Sequence, residues 1–271
     1  HFDPYFQEGA SIYTSCHRKG FVDLKESSSK LWGDQCDSSE FLIEATLKQV
    51  SERHVDISHI ILTGDNFRHD DDSEIPVSRD EIYWANTRLK SLISFYFPYA
   101  YTYFCLGNHD VLLHDCLGPG PNLDLQLLKN VWLGDEAQSN SFDRGGYWSK
   151  RISDNLKIIS VNTLYYSKKN ALAGSCGDLN GPGWQQLSWL KNQLFAALSD
   201  NLKVIIIGHI APMDVLYHTD CLAGFVDILG QFPGVVSAQI YGHSHLDDIF
   251  ILKRSNVSVG FALTAPSIVP T

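Results

Sequence analysis

The sequence predicts an α/β fold: a layered sandwich of two mixed β-sheets flanked by helices. Three observations point there. Short apolar runs rich in β-branched and aromatic residues recur along the chain, amphipathic stretches of helical period lie between them, and late segments alternate as antiparallel strands do. With 271 residues, 44% hydrophobic and 19% charged, the chain has the composition of a globular protein able to bury a real core.

The runs Ile57–Thr63, Tyr101–Leu106, Leu156–Asn162, Val204–Ile207 and Ala238–Tyr241 predict strands covered on both faces. Ser38-Ser39-Glu40 opens a helix to about His54, with Phe41, Leu42, Ala45, Leu47 and Val50 as its apolar face. Further helices are expected over roughly Arg79–Phe95 and Gly183–Leu198. Tyr147–Ile152, Asp248–Leu252 and Val257–Leu263 predict antiparallel strands, and strands of both kinds with helices outside make a layered sandwich. No Gly-rich loop follows an early strand, which disfavours a doubly wound nucleotide-binding fold. No repeat or low-complexity linker divides residues 1–271, so one domain is expected.

The formal net charge of -10 argues against a nucleic-acid partner. It is compatible with a polyanionic substrate if metal ions reverse the local field, helped by basic patches such as His17-Arg18-Lys19, Arg144, Lys150-Arg151 or Lys168-Lys169. No run of about 18 apolar residues is present to span a membrane. Six cysteines without a CxxC pair permit three disulfides, in fifteen possible pairings, and Asn256-Val257-Ser258 is a sequon. Both features would suit an oxidising, secretory-pathway compartment.

Four predicted strands end alike: an apolar run, a glycine, then a metal-binding side chain. These are Leu62-Thr63-Gly64-Asp65-Asn66, Leu106-Gly107-Asn108-His109-Asp110, Ile207-Gly208-His209 and Tyr241-Gly242-His243-Ser244-His245. Loops at the carboxyl ends of strands in open α/β sheets are where ligands gather. Imidazoles, a carboxylate and an amide oxygen suit Zn²⁺, Mn²⁺ or Fe better than Ca²⁺. A carboxylate can bridge two such ions, and water held by them ionises near neutral pH, which supplies a nucleophile without serine or cysteine.

This series resembles the calcineurin-like metallophosphoesterases, whose blocks read D-x-H, G-D, G-N-H-[DE], G-H and G-H-x-H. The resemblance implies two divalent ions, zinc first, with manganese, iron or cobalt as alternatives. His1 and His245 would hold one metal, Asp65 would bridge both, and Asn108, His209 and His243 would hold the second. The family's first block begins with an aspartate two residues before its histidine. This chain starts at His1, so that aspartate is expected upstream, and Ala265-Pro266-Ser267 looks like a segment that continues further.

Within the superfamily, the chain is similar to the branch of acid sphingomyelinase-like phosphodiesterases and vacuolar endopolyphosphatases. Ser15-Cys16-His17-Arg18, Gly64 to Asp70, Gly118 to Asn122, Arg144 to Tyr147 and Val161 to Tyr165 look more like the latter. The implied reaction is hydrolysis inside inorganic polyphosphate chains, in a vacuolar or lysosomal lumen or outside the cell. His109 and a histidine-rich last block lean toward the sphingomyelinase side, whose substrate would be a lipid head group or nucleotide. A third possibility is a binding protein with an inactive metal site.

The resemblance places His109 and His69 near the leaving group, where an imidazolium could donate a proton. Arg68 could grip a phosphate or pair with Asp70, Asp71 or Asp72. His17 and Arg18 are further candidate substrate contacts; the other histidines, including His114, are expected at the surface or in the core. The disulfides expected are 16 with 36, 105 with 116, and 176 with 221.

Overall fold

The structure, a computed structural model, describes residues 1–7, 16, 36–69, 75–134 and 139–269. It forms two compact units: His1–Ile61 with Asp65–Tyr103 and Ser267–Thr271, and Leu62–Gly64 with Phe104–Pro266.

The first unit is built from helices α1 (Glu40–Arg53) and α2 (Arg79–Tyr96) and a two-stranded sheet of β1 (His59–Leu62) and β2 (Tyr101–Phe104). Both helices start on serine caps. The Ser39 hydroxyl accepts from the Leu42 N–H at 3.1 Å, and Ser78 forms a reciprocal capping box with Glu81. The apolar face of α1 is narrower than its sequence suggests: Ile43 is buried with Leu47 against it, whereas Phe41 is 60% exposed. Ile43 and Leu47 lie one turn apart, so the helical period and not hydrophobicity alone selects the inward side. They pack with Phe2, Phe67, Ile82, Ala85 and Leu92, and each such burial is worth about 1.5–3 kcal/mol.

The second unit holds α3 (Leu123–Trp132), α4 (Ser139–Gly145), α5 (Pro182–Ser199) and α6 (Thr219–Gln231). Its strands are β3 (Trp148–Arg151), β4 (Leu156–Ser160), β5 (Lys203–Ile207), β6 (Val236–Tyr241), β7 (Asp248–Arg254) and β8 (Val257–Thr264). They form one mixed sheet in the order β3-β4-β5-β6-β8-β7. Strands β4, β5, β6 and β8 run parallel, and β3 and β7 flank them antiparallel.

Parallel neighbours need long crossovers, and α5 and α6 supply those from β4 to β5 and from β5 to β6. Helix α5 packs on β4 and β5, and α6 on β7 and β8. Val204, Ile206 and Ile207 are fully buried, as an inner strand covered by helices requires. The hairpin β7–β8 turns through Ser255 and Asn256, both at positive φ, so the sequon asparagine stands exposed at its tip.

Two disulfides form, Cys16–Cys36 and Cys176–Cys221. The expected third does not. Cys105 is a fully buried thiol close to Tyr217 and Tyr241, while the Cys116 sulfur sits 3.7 Å from the Lys169 carbonyl oxygen. The two thiols therefore face different surroundings and are not bridged.

Candidate metal centre

In the first unit, three chain segments are laced around the N-terminal histidine. Ser38 N–H donates to the His1 carbonyl at 3.0 Å, Asp3 N–H to the Ser38 carbonyl at 2.9 Å, and Phe2 N–H to the Asn66 carbonyl at 3.3 Å. The His1 ring is fixed by Nδ1, which lies 3.0 Å from the Phe67 carbonyl oxygen. A carbonyl only accepts, so Nδ1 carries the proton and Nε2 presents its lone pair. That lone pair faces Asp65 Oδ2 at 3.6 Å, too far for a hydrogen bond and well placed for two ligands of one cation.

His69 stacks on His1, with ring centroids 3.9 Å apart, and their ligand nitrogens lie within 4.8 Å of one another. Its own partner is Asp37, which the sequence patterns did not single out. Asp37 Oδ1 lies 2.8 Å from His69 Nδ1, and Oδ2 accepts the His69 backbone N–H at 2.7 Å. Burial pushes the Asp37 carboxyl up, but the hydrogen bond and charge of His69 outweigh it and hold the group below its ordinary value.

Arg68 is buried at 0% exposure. Its Nη2 donates to the Ile75 carbonyl at 2.5 Å and lies 4.0 Å from Glu81, and the guanidinium rests beside the Phe67 and Tyr5 rings. Arg68 therefore anchors its loop. His17 and Arg18, and the acidic stretch Asp70 to Asp72, lie outside the described residues.

In the second unit, the ends of β5 and β6 and the turn that follows Phe104 bring three side chains together. His209 Nε2 lies 2.8 Å from Asn108 Oδ1 and 3.2 Å from His243 Nδ1, and His243 Nδ1 lies 3.0 Å from Asn108 Oδ1. Glycine makes this convergence possible. Gly64 has φ +89°, and a Cβ there would fall 2.6 Å from Gly107 N and 3.0 Å from His209 Nδ1. His243 and His245 also take positive φ, at 69° and 60°, which turns their loop tightly after Gly242. Asp110, 1% exposed, accepts the Gly107 N–H at 2.9 Å and holds the turn that carries Asn108.

The cluster passes a chemical test for a cation. His209 Nδ1 lies 2.7 Å from the Thr63 carbonyl oxygen, which assigns it the proton and leaves Nε2 as a lone pair. The Asn108 amide nitrogen is turned to His114 Nε2 at 2.8 Å, so its oxygen faces His209 and His243. His209 Nε2 and Asn108 Oδ1 thus meet at 2.8 Å as two acceptors, with His243 Nδ1 3.2 Å from the first and 3.0 Å from the second, an arrangement that a cation among them would satisfy. Ligands of a tetrahedral ion bound at about 2.0–2.1 Å stand roughly 3.3 Å apart, close to this spacing. Neutral imidazole and amide oxygen are the donor types for zinc, manganese or iron.

His109 is buried at 8% exposure, with its ring stacked on His114 at 4.0 Å. His245 is partly buried on the same loop as His243. Asp37 and His114 were missed because neither sits in a motif; a hydrogen bond made in space, not a spacing in sequence, recruits them.

An α/β fold carrying glycine-led loops and imidazole-rich clusters of this kind defines a metallophosphoesterase domain. The chain belongs to the calcineurin-like phosphoesterase family, which it matches over residues 17–247. It is 33% identical to an endopolyphosphatase of Schizosaccharomyces pombe over 276 residues, 96% of this chain and 48% of that one. It is 30% identical to an endopolyphosphatase of Saccharomyces cerevisiae, over 91% of this chain and 39% of that one. The chain thus spans about half, or less, of the length of these relatives. A crystal structure of a dimetal phosphatase from Danio rerio shares the fold, with a TM-score of 0.56, 14% identity, and coverage of 98% of this chain and 89% of that one.

Proposed function

We propose that this chain is the catalytic domain of a metal-dependent endopolyphosphatase, hydrolysing internal phosphoanhydride bonds of inorganic polyphosphate. The observation that carries the reading is the convergence of Asn108 Oδ1, His209 Nε2 and His243 Nδ1 within 3.2 Å of one another, in a family whose similar members include endopolyphosphatases. Asn108, His209 and His243 would hold one divalent ion; His1 and Asp65 offer ligands to a second, and His245 is a further ligand by resemblance to the family. Zinc fits the donors first, with manganese, iron or cobalt as alternatives. Such ions supply Lewis acidity: they activate water and neutralise phosphate charge.

The chain's own part is to orient and to donate protons. Asp37 fixes the His69 ring and stabilises its charged form, so His69 can protonate a departing phosphate oxygen. His109 is the second proton donor, its plane set by the stack with His114. The two disulfides fit an oxidising lumen, vacuolar or lysosomal, or an extracellular space. No helix among the described residues is long and apolar enough to cross a membrane.

One assay panel tests the reading. The metal-loaded protein is given long-chain polyphosphate, a nucleoside triphosphate, bis-p-nitrophenyl phosphate and sphingomyelin. Polyphosphate should shorten by internal cuts. If its chains stay full length while a diester or sphingomyelin is turned over, the phosphodiesterase reading replaces this one.

A further inference from the structure

We propose that His114 is a positioning residue that selects which end of the Asn108 amide meets the metal, an inference resting on the metal reading above. An asparagine amide has two faces of opposite character, an oxygen that accepts and an NH₂ that donates. Only the oxygen can ligate. With the amide turned over, the NH₂ would instead donate to the His209 Nε2 lone pair, a competing arrangement that closes the site to a cation. Something must therefore hold the amide the right way round before metal arrives.

His114 is built for that task. Its Nε2 lies 2.8 Å from Asn108 Nδ2 and accepts that amide's hydrogen, which sends the oxygen toward His209 and His243. The ring is held in turn. It stacks on His109 at 4.0 Å with 30° between planes. The following residue, Asp115, ties the loop back to its start: its N–H donates to the Asn108 carbonyl at 3.3 Å, and its carboxylate lies 3.5 Å from Lys169 Nζ. The His114 side chain is 49% exposed, so truncating it leaves no sealed cavity and costs little packing.

The test is zinc binding by the metal-free protein, measured by chelator competition for the wild type and for His114→Ala, His114→Phe and His114→Gln, with thermal unfolding of each metal-free form alongside. Loss of a partner that orients a ligand lowers metal affinity about 10–100-fold. Alanine and phenylalanine should weaken one of two zinc sites by that factor. Glutamine, whose carbonyl can accept from Asn108 Nδ2, should restore most of the loss, with unchanged thermal midpoints throughout. Wild-type affinity in all three variants overturns the inference, as does glutamine performing no better than alanine. A wild-type protein that binds no zinc overturns the metal reading and this inference with it, which separates the two failures.

Discussion

Asp37 grips His69 at two points, one carboxylate oxygen 2.8 Å from the ring Nδ1 and the other accepting the backbone N–H of the same residue at 2.7 Å. Ring and main chain are thus fixed by a single group. Asp37→Asn should lower kcat on polyphosphate by about 10–100-fold, with metal content unchanged. If His69 is the proton donor proposed, His69→Ala should cost up to the ~10²–10⁴ typical of a general acid. Steady-state rates of polyphosphate chain shortening and metal analysis on each variant check this; equal metal loss in both would make the pair structural.

Asp65 and His109 should separate metal binding from proton transfer. Asp65→Ala is expected to lose both metal and turnover. His109→Ala is expected to keep its metal while kcat falls by at least about 100-fold. Plasma emission analysis beside the kinetics distinguishes the two outcomes.

Gly64→Ala places a Cβ 2.6 Å from Gly107 N and 2.8 Å from its Cα, at a residue whose φ is +89°. Backbone cannot yield as the end of a flexible side chain does. The variant should be destabilised by about 2 kcal/mol or more in urea unfolding, and should bind zinc more weakly because His209 Nδ1 lies only 3.0 Å from the same point.

The Cys176–Cys221 bridge spans a sequence separation of 45. Loop-closure entropy for that length corresponds to about 4 kcal/mol at 25 °C. Replacing both cysteines with alanine should lower stability by a comparable amount. Thiol titration of the unfolded, unreduced protein should find two reactive groups, Cys105 and Cys116; none would mean those two are joined after all.

Asp220 links that bridge to a pH dependence. Its carboxylate accepts the Gly177 N–H at 2.6 Å and the Cys221 N–H at 2.9 Å. Burial raises its pKa, but hydrogen bonds from Ser175, Gly177 and Cys221 lower it further, to below the ordinary 3.8. A depressed carboxyl contributes stability that is whole above its unfolded value and lost as pH falls through the folded one. The stability gap between wild type and Asp220→Asn should therefore be constant from neutral pH down to an acidic lumen's range, and shrink only below 3.8. A gap that already narrows near pH 6 would contradict this assignment.

Much of the fold could be read from the chain. The serine cap before Glu40, the α2 helix, the apolar runs that became β4, β5 and β6, and the antiparallel edge strands follow from local pattern. Less legible were α3, α4 and α6, which the patterns did not mark, and the inward face of α1, where Ile43 and not Phe41 meets the core. Strand β8 shows a similar limit. It pairs antiparallel with β7 as its alternation suggests, and also parallel with β6, a partnership no local pattern encodes.

For the site, the sequence by itself determined the residue types and their attachment to strand ends. Gly64-Asp65, Gly107-Asn108-His109, Gly208-His209 and Gly242-His243-Ser244-His245 are covalent neighbours, so their spacing carries the chemistry directly. Only the tertiary structure decided which atoms of those residues face one another. It turned the Asn108 oxygen to His209 through His114, set the His69 ring through Asp37, and turned the Arg68 guanidinium inward to Ile75 and Glu81. Tautomer, amide orientation and burial are properties of hydrogen bonds between residues distant in sequence, and they come into being only when the chain has folded.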